Sequence, residues 1–152
     1  MGAAITALLE HDPRDEADAW KPSPSEQPAH EPAAAGCRVL LVEDEHIVRS
    51  WIARLLEEAG HFVRVAVNGG EALRLAFEDP IGFDLLITDV RMPGVDGWEL
   101  GRRLTERWPG LPILYISGYD LQPSGRQSGS FLRKPFDPEL LLARVAELLE
   151  DR

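Results

Sequence analysis

Cysteine, basic charge and long apolar runs are all scarce in this sequence, and each scarcity excludes something. A single cysteine, Cys37, among 152 residues rules out an internal disulfide framework. It opens an apolar run and reads as small apolar filler at a strand start. The 16 lysines and arginines face 26 aspartates and glutamates, for a net charge of -10. Such a surface repels a phosphate backbone, so nucleic acid is not expected as a direct partner. No apolar stretch approaches the roughly 20 residues that span a bilayer. No basic segment followed by an apolar one opens the chain, so neither secretion nor membrane insertion is expected. These absences together point to a cytoplasmic protein.

What is present is unevenly distributed. Before Gly36 lie Pro13, Pro22, Pro24, Pro28 and Pro32 among alanine and acids. Residues 10–35 carry 7 acids (Glu10, Asp12, Asp15, Glu16, Asp18, Glu26, Glu31) against Arg14 and Lys21. Proline-rich acidic sequence with few apolar residues cannot bury enough surface to offset its ordering entropy. Residues 1–35 are therefore expected to be a disordered acidic Pro/Ala-rich tail, with one folded domain over 36–152.

From Cys37 the pattern alternates. Short apolar strands are expected at 37–42, 62–67, 83–88, 111–117 and 131–133. Helices are expected between them and after the last. The first carries Ile47, Val48, Trp51, Ile52, Leu55, Leu56 and Ala59 at helical spacing and stops at Gly60. The second runs from about Glu71 to Glu78 after Asn68-Gly69-Gly70. The third spans 96–108, and the last is capped by Asp137 with Pro138 at its first position. Alternation of this kind gives right-handed crossovers and a parallel sheet. Residues 118–130 break the rhythm. With three glycines, a proline and only Leu121 as an aliphatic side chain, they are expected to form a loop or a single turn.

The chemistry gathers at strand ends. Leu85-Leu86-Ile87-Thr88-Asp89 delivers a carboxylate into the loop Val90-Arg91-Met92-Pro93-Gly94. In open parallel α/β sheets, ligands collect at the carboxyl edge. Glu43-Asp44 follow the first strand and Lys134 follows the fifth, so the same edge receives three acids and a lysine. Such a set suits a metal-dependent phosphoryl site.

The ordered motifs LLVEDE, LLITDVRMPGVDGWEL, PILYISG and FLRKPF closely resemble the receiver domain of two-component response regulators, over about Cys37 to Glu150. The resemblance implies an α/β, flavodoxin-like, doubly wound five-stranded parallel sheet of order 2-1-3-4-5, here with a reduced or missing fourth helix. It implies phosphoryl transfer from a histidine kinase or histidine phosphotransfer protein onto Asp89, and signalling to a downstream protein not identifiable from sequence. It implies Mg2+ or Mn2+ held by Asp44, Asp89 and the backbone carbonyl of Arg91, with Glu43 reaching the metal through water. Glu43 departs from the commoner aspartate.

The remaining roles also come from the resemblance. Lys134 supplies a cation for a phosphoryl oxygen, and the Lys134–Pro135 peptide is expected to be cis. Ser117 is the switch hydroxyl and Phe131 the switch aromatic, which lacks a hydroxyl and so must act by packing. Gly118 leaves access to Asp89, and Arg91 and Tyr119 border the site and tune hydrolysis of the acyl phosphate. The protein is not expected to be an enzyme beyond its own phosphorylation and dephosphorylation. A phosphate-independent pseudo-receiver and the receiver portion of a hybrid histidine kinase are the alternatives. Met1 and the long tail favour an independent chain.

Overall fold

The computed structural model describes residues 36–118 and 129–151. The expected tail (1–35), Tyr119 and most of the expected 118–130 loop lie outside the described residues. The elements run β1 (Arg38–Val42), α1 (His46–Glu58), β2 (Phe62–Ala66), α2 (Gly69–Glu78), β3 (Leu85–Asp89), α3 (Gly97–Arg107), β4 (Ile113–Ser117), β5 (Ser130–Arg133) and α4 (Pro138–Glu150). All strand pairs are parallel, in the order β2-β1-β3-β4-β5. The four helices among the described residues fit a reduced crossover between β4 and β5.

The central strands read as near-continuous apolar runs because helices cover both faces of the sheet. Every residue of β3 and β4 is buried. Alternate side chains serve opposite faces. Val39, Leu41, Leu85, Ile87, Leu114 and Ile116 pack with Ile52 and Leu56 of α1 and Leu141, Val145 and Leu149 of α4. Leu40, Val42, Leu86, Ile113 and Tyr115 pack with Ala72 and Ala76 of α2 and Leu100 and Leu104 of α3. Burying one such aliphatic side chain stabilises the fold by about 1.5–3 kcal/mol. Cys37 is buried in the first cluster, as its place at the strand start suggested.

Local signals set most boundaries. Gly60 (φ 100) follows α1. Its N–H bonds the Glu57 carbonyl while the His61 N–H bonds Leu56, the pairing that closes a helix through a left-handed residue. Asn68 accepts from the Glu71 N–H and Asp96 from the Glu99 N–H, capping α2 and α3.

Three expectations need correction. α2 begins at Gly69 rather than near Glu71. Tertiary packing overrides glycine's poor helix propensity here, because a Cβ at Gly69 would collide with the backbone and side chain of Val95. Asp137 holds the N-cap position of α4 but makes no side-chain cap bond; the fixed φ of Pro138 suits the first turn instead. Ile47 and Trp51 share the spacing of the buried stripe of α1, yet Ile47 is largely exposed and Trp51 is partly so, set against the ring of Phe136 at 5.5 Å. The sheet covers a narrower arc of the helix than its apolar residues occupy.

No described helix is long and apolar enough to cross a membrane.

Candidate functional site

The carboxyl ends of β1, β3, β4 and β5 meet at one edge. The pairings Val42 with Thr88, Asp89 with Ile116 and Ser117 with Arg133 bring them level. Glu43, one residue beyond β1, is fully buried, and Asp89 is 6% exposed. Asp44 is exposed. Carboxylate oxygens of Glu43, Asp44 and Asp89 all lie within 4.8 Å of one another. Three hard oxygen donors at that spacing fit a small divalent cation such as magnesium, and without one they repel each other.

Lys134 enters from the end of β5. Its Nζ donates to Glu43 Oε1 at 2.8 Å and stands 3.7 Å from Asp89 Oδ2 and 3.8 Å from Glu45 Oε1. The other Glu43 oxygen accepts from the Glu45 N–H at 3.0 Å. Both Glu43 oxygens are thus engaged inside the protein. The Lys134–Pro135 peptide is cis. The Lys134 N–H donates to the Ser117 carbonyl at 2.8 Å, tying β5 to the end of β4.

Burial governs the titration of these groups. It raises the Asp89 carboxyl to about 6, aided by the charges of Glu43 and Asp44 and opposed by Lys134. Burial also raises Glu43, with the Lys134 hydrogen bond offsetting it only in part. For Lys134, burial alone would lower the ammonium pKa. The hydrogen bond to Glu43 and the charges of Asp89, Glu43 and Glu45 outweigh burial and hold it above the ordinary lysine value.

The remaining expected residues sit around this cluster. Ser117 is buried at the end of β4. Arg91 and Gly118 are exposed, and a Cβ at Gly118 would meet open space. Phe131 is half-buried and stacks on Tyr115 (centroids 5.4 Å, planes 20° apart), with Trp98 5.5 Å away. Tyr119 cannot be placed among them because it lies outside the described residues.

Three supporting residues, Arg49, Thr88 and Gly97, went unrecognised in the sequence. Arg49 Nη1 donates to the Glu43 carbonyl at 2.8 Å, and Glu45 joins the ring of charge around Lys134. Thr88 Oγ1 donates to the Asp89 carbonyl at 2.9 Å. Gly97 lets α3 approach the end of β3, since a Cβ there would strike the Asp89 carbonyl oxygen and crowd Val90 Cα at 2.8 Å. The only usable signals were positional. Arg49 lies one turn into α1, where helical side chains point back toward the N-terminus, and Gly97 directly follows a capping aspartate.

Comparison with known proteins gives a consistent result. The family model described as Response regulator receiver domain matches residues 39–146. Response regulator receiver protein CpdR of Brucella abortus is 38% identical over 117 residues, covering 74% of this chain and 96% of CpdR. Other curated relatives are longer, and the chain spans about half the length of several of them. Among solved structures, the receiver domain of the hybrid histidine kinase CckA is 43% identical with a TM-score of 0.65, covering 74% of this chain and 98% of that one. TrrA of Thermotoga maritima, solved in complex with Mg(2+)-BeF, is 29% identical with a TM-score of 0.68, over 74% of this chain and 98% of its own.

Proposed function

Because this chain belongs to the response regulator receiver family of two-component systems, we propose that Asp89 is its phosphoacceptor, charged by a histidine kinase or a histidine phosphotransfer protein. The observation that carries this reading is the convergence of Glu43, Asp44, Asp89 and Lys134 on one strand edge.

The chain's own groups account for the step. At neutral pH the Asp89 carboxylate, with its pKa near 6, is largely ionised, so it needs no general base. One oxygen attacks phosphorus as the phosphorus–nitrogen bond to the donor imidazole breaks, the electron pair returning to that nitrogen. Magnesium held by Asp44, Asp89 and the Arg91 carbonyl would neutralise charge between the carboxylates and the phosphoryl oxygens. Glu43, with both oxygens already engaged, would contribute through water. Lys134, 3.7 Å from Asp89, supplies a point charge for a phosphoryl oxygen.

Ser117 would donate its hydroxyl to the same group and draw the end of β4 inward. Phe131, packed against Tyr115 and Trp98, would report that shift by repacking. Arg91 and Gly118 would border the site and set the lifetime of the acyl phosphate. The output is a changed surface read by a downstream protein, with no catalysis beyond the chain's own phosphorylation and dephosphorylation. The acidic balance favours protein partners over nucleic acid.

Incubation of the whole chain with acetyl phosphate and magnesium tests this. Wild type should gain one phosphoryl group by intact mass, and Asp89→Asn none. Equal incorporation by both would exclude Asp89.

A further inference from the structure

A second feature lies away from the acidic edge, on the flank formed by α2 and α3. There a shallow, open depression is lined by Leu73, Arg74 and Phe77 of α2 and by Arg103, Glu106 and Arg107 of α3. Its apolar wall is unusually open. Phe77 is 54% exposed, and its ring meets Trp108 at 5.5 Å. Single exposed apolar residues need no explanation, but an aromatic set in a groove rimmed by charge has the composition of a binding surface.

The charge of the rim selects the partner. Three guanidiniums and one carboxylate line the groove, on a chain whose net charge is -10. The arginines are not locked. Arg74 pairs with Glu78 at 3.3 Å and Arg103 with Glu99 at 2.7 Å, both on exposed helix faces. Exposed pairs of this kind hold weakly, so another carboxylate can replace them. Arg107 lies over the Trp108 ring, 5.0 Å from its centroid, and pairs with no carboxylate among the described residues. Arginine suits interfaces because it is weakly hydrated and grips carboxylates through two parallel bonds.

We propose that the α2–α3 groove docks an acidic amphipathic segment of a partner protein. An aliphatic or aromatic anchor of that segment sits on Phe77, and flanking Asp or Glu residues meet Arg103 and Arg107. The surface is separate from the phosphorylation chemistry and does not depend on Asp89.

The test uses the whole chain, isotopically labelled for amide NMR. It is titrated with a synthetic helical peptide carrying leucine and phenylalanine four residues apart among glutamates. The same peptide with lysine for glutamate, and a short DNA duplex, serve as further arms. The acidic peptide should give saturable shifts centred on Leu73, Phe77, Arg103 and Arg107, weakening as salt rises. Phe77→Ser, at a half-exposed position, should weaken binding by roughly tenfold, the equivalent of 1.4 kcal/mol. The double variant Arg103→Glu/Arg107→Glu should lose the acidic peptide and gain the basic one, an exchange that misfolding cannot produce. Failure to saturate by roughly 1 mM, shifts centred elsewhere, equal binding of the basic peptide by wild type, or the same shifts with the duplex would each overturn the proposal.

Discussion

Lys134 Nζ lies 2.8 Å from Glu43 Oε1, although 91 residues separate them in sequence. Glu43 is fully buried, so its charge depends on this one cation and on the Glu45 N–H. Glutamate's extra methylene carries the carboxylate across to the lysine. In this state Lys134 is bonded to Glu43 and only near Asp89.

That pairing gives the first prediction. Removing one partner of a buried pair costs about 3–5 kcal/mol because the other charge is stranded. Lys134→Met should therefore destabilise the domain by about 3 kcal/mol in urea unfolding, at the lower end because the lysine is partly exposed. Glu43→Gln added to it should restore most of the loss. Additive effects of the two changes would show that the pair carries no coupling energy.

Asp89 should make the domain less stable as its carboxyl ionises. Its folded pKa is about 6, against about 3.9 in an unfolded chain. Between those values the folded state binds more protons than the unfolded state, so stability falls as pH rises from about 4 to 6 and levels off above. Without metal, Asp89→Asn should stabilise the domain by about 3 kcal/mol at pH 7 and have no effect below about pH 4. Thermal unfolding across that range reads both.

Magnesium should reverse this penalty. At a concentration about 100 times its Kd, it should stabilise wild type by about 2.7 kcal/mol, or roughly 10 °C in Tm for a domain of this size. Asp44→Asn and Asp89→Asn should each abolish most of that shift. Glu43→Gln should reduce it less, since the Glu43 oxygens are already occupied within the protein.

Gly97→Ala probes the approach of α3 to β3. The added methyl would meet the Asp89 carbonyl oxygen, and overpacking of this kind costs about 1–3 kcal/mol. Stability should fall by that amount, and phosphorylation by acetyl phosphate should slow, because the displaced atom belongs to the backbone of Asp89. An unchanged rate would mean that the end of β3 yields without moving the carboxylate.

The fold was legible in the sequence because its signals are local. Apolar runs such as Leu85-Leu86-Ile87 mark strands buried on both faces, Gly60 marks a helix end, and the parallel order follows from alternation. The convergence of Glu43, Asp44, Asp89 and Lys134 was legible because each lies at, or within two residues of, the end of a strand. Its internal connections were not. Whether Lys134 meets Glu43 or Asp89 depends on arm length and burial between elements remote in sequence. The start of α2 was misjudged because glycine propensity argues against Gly69, while contact with Val95 requires a residue without a Cβ there. Arg49 was missed because its partner is a backbone carbonyl, which no side-chain pattern reveals.

The measurement that bears most directly on the central claim locates the phosphoryl group. Borohydride reduces an aspartyl phosphate to homoserine, which marks the residue permanently. After phosphorylation with acetyl phosphate and magnesium, reduction and peptide mapping should place homoserine at position 89 alone. Homoserine at position 44 or 96, or none at 89 in protein that has taken up phosphate, would contradict the account.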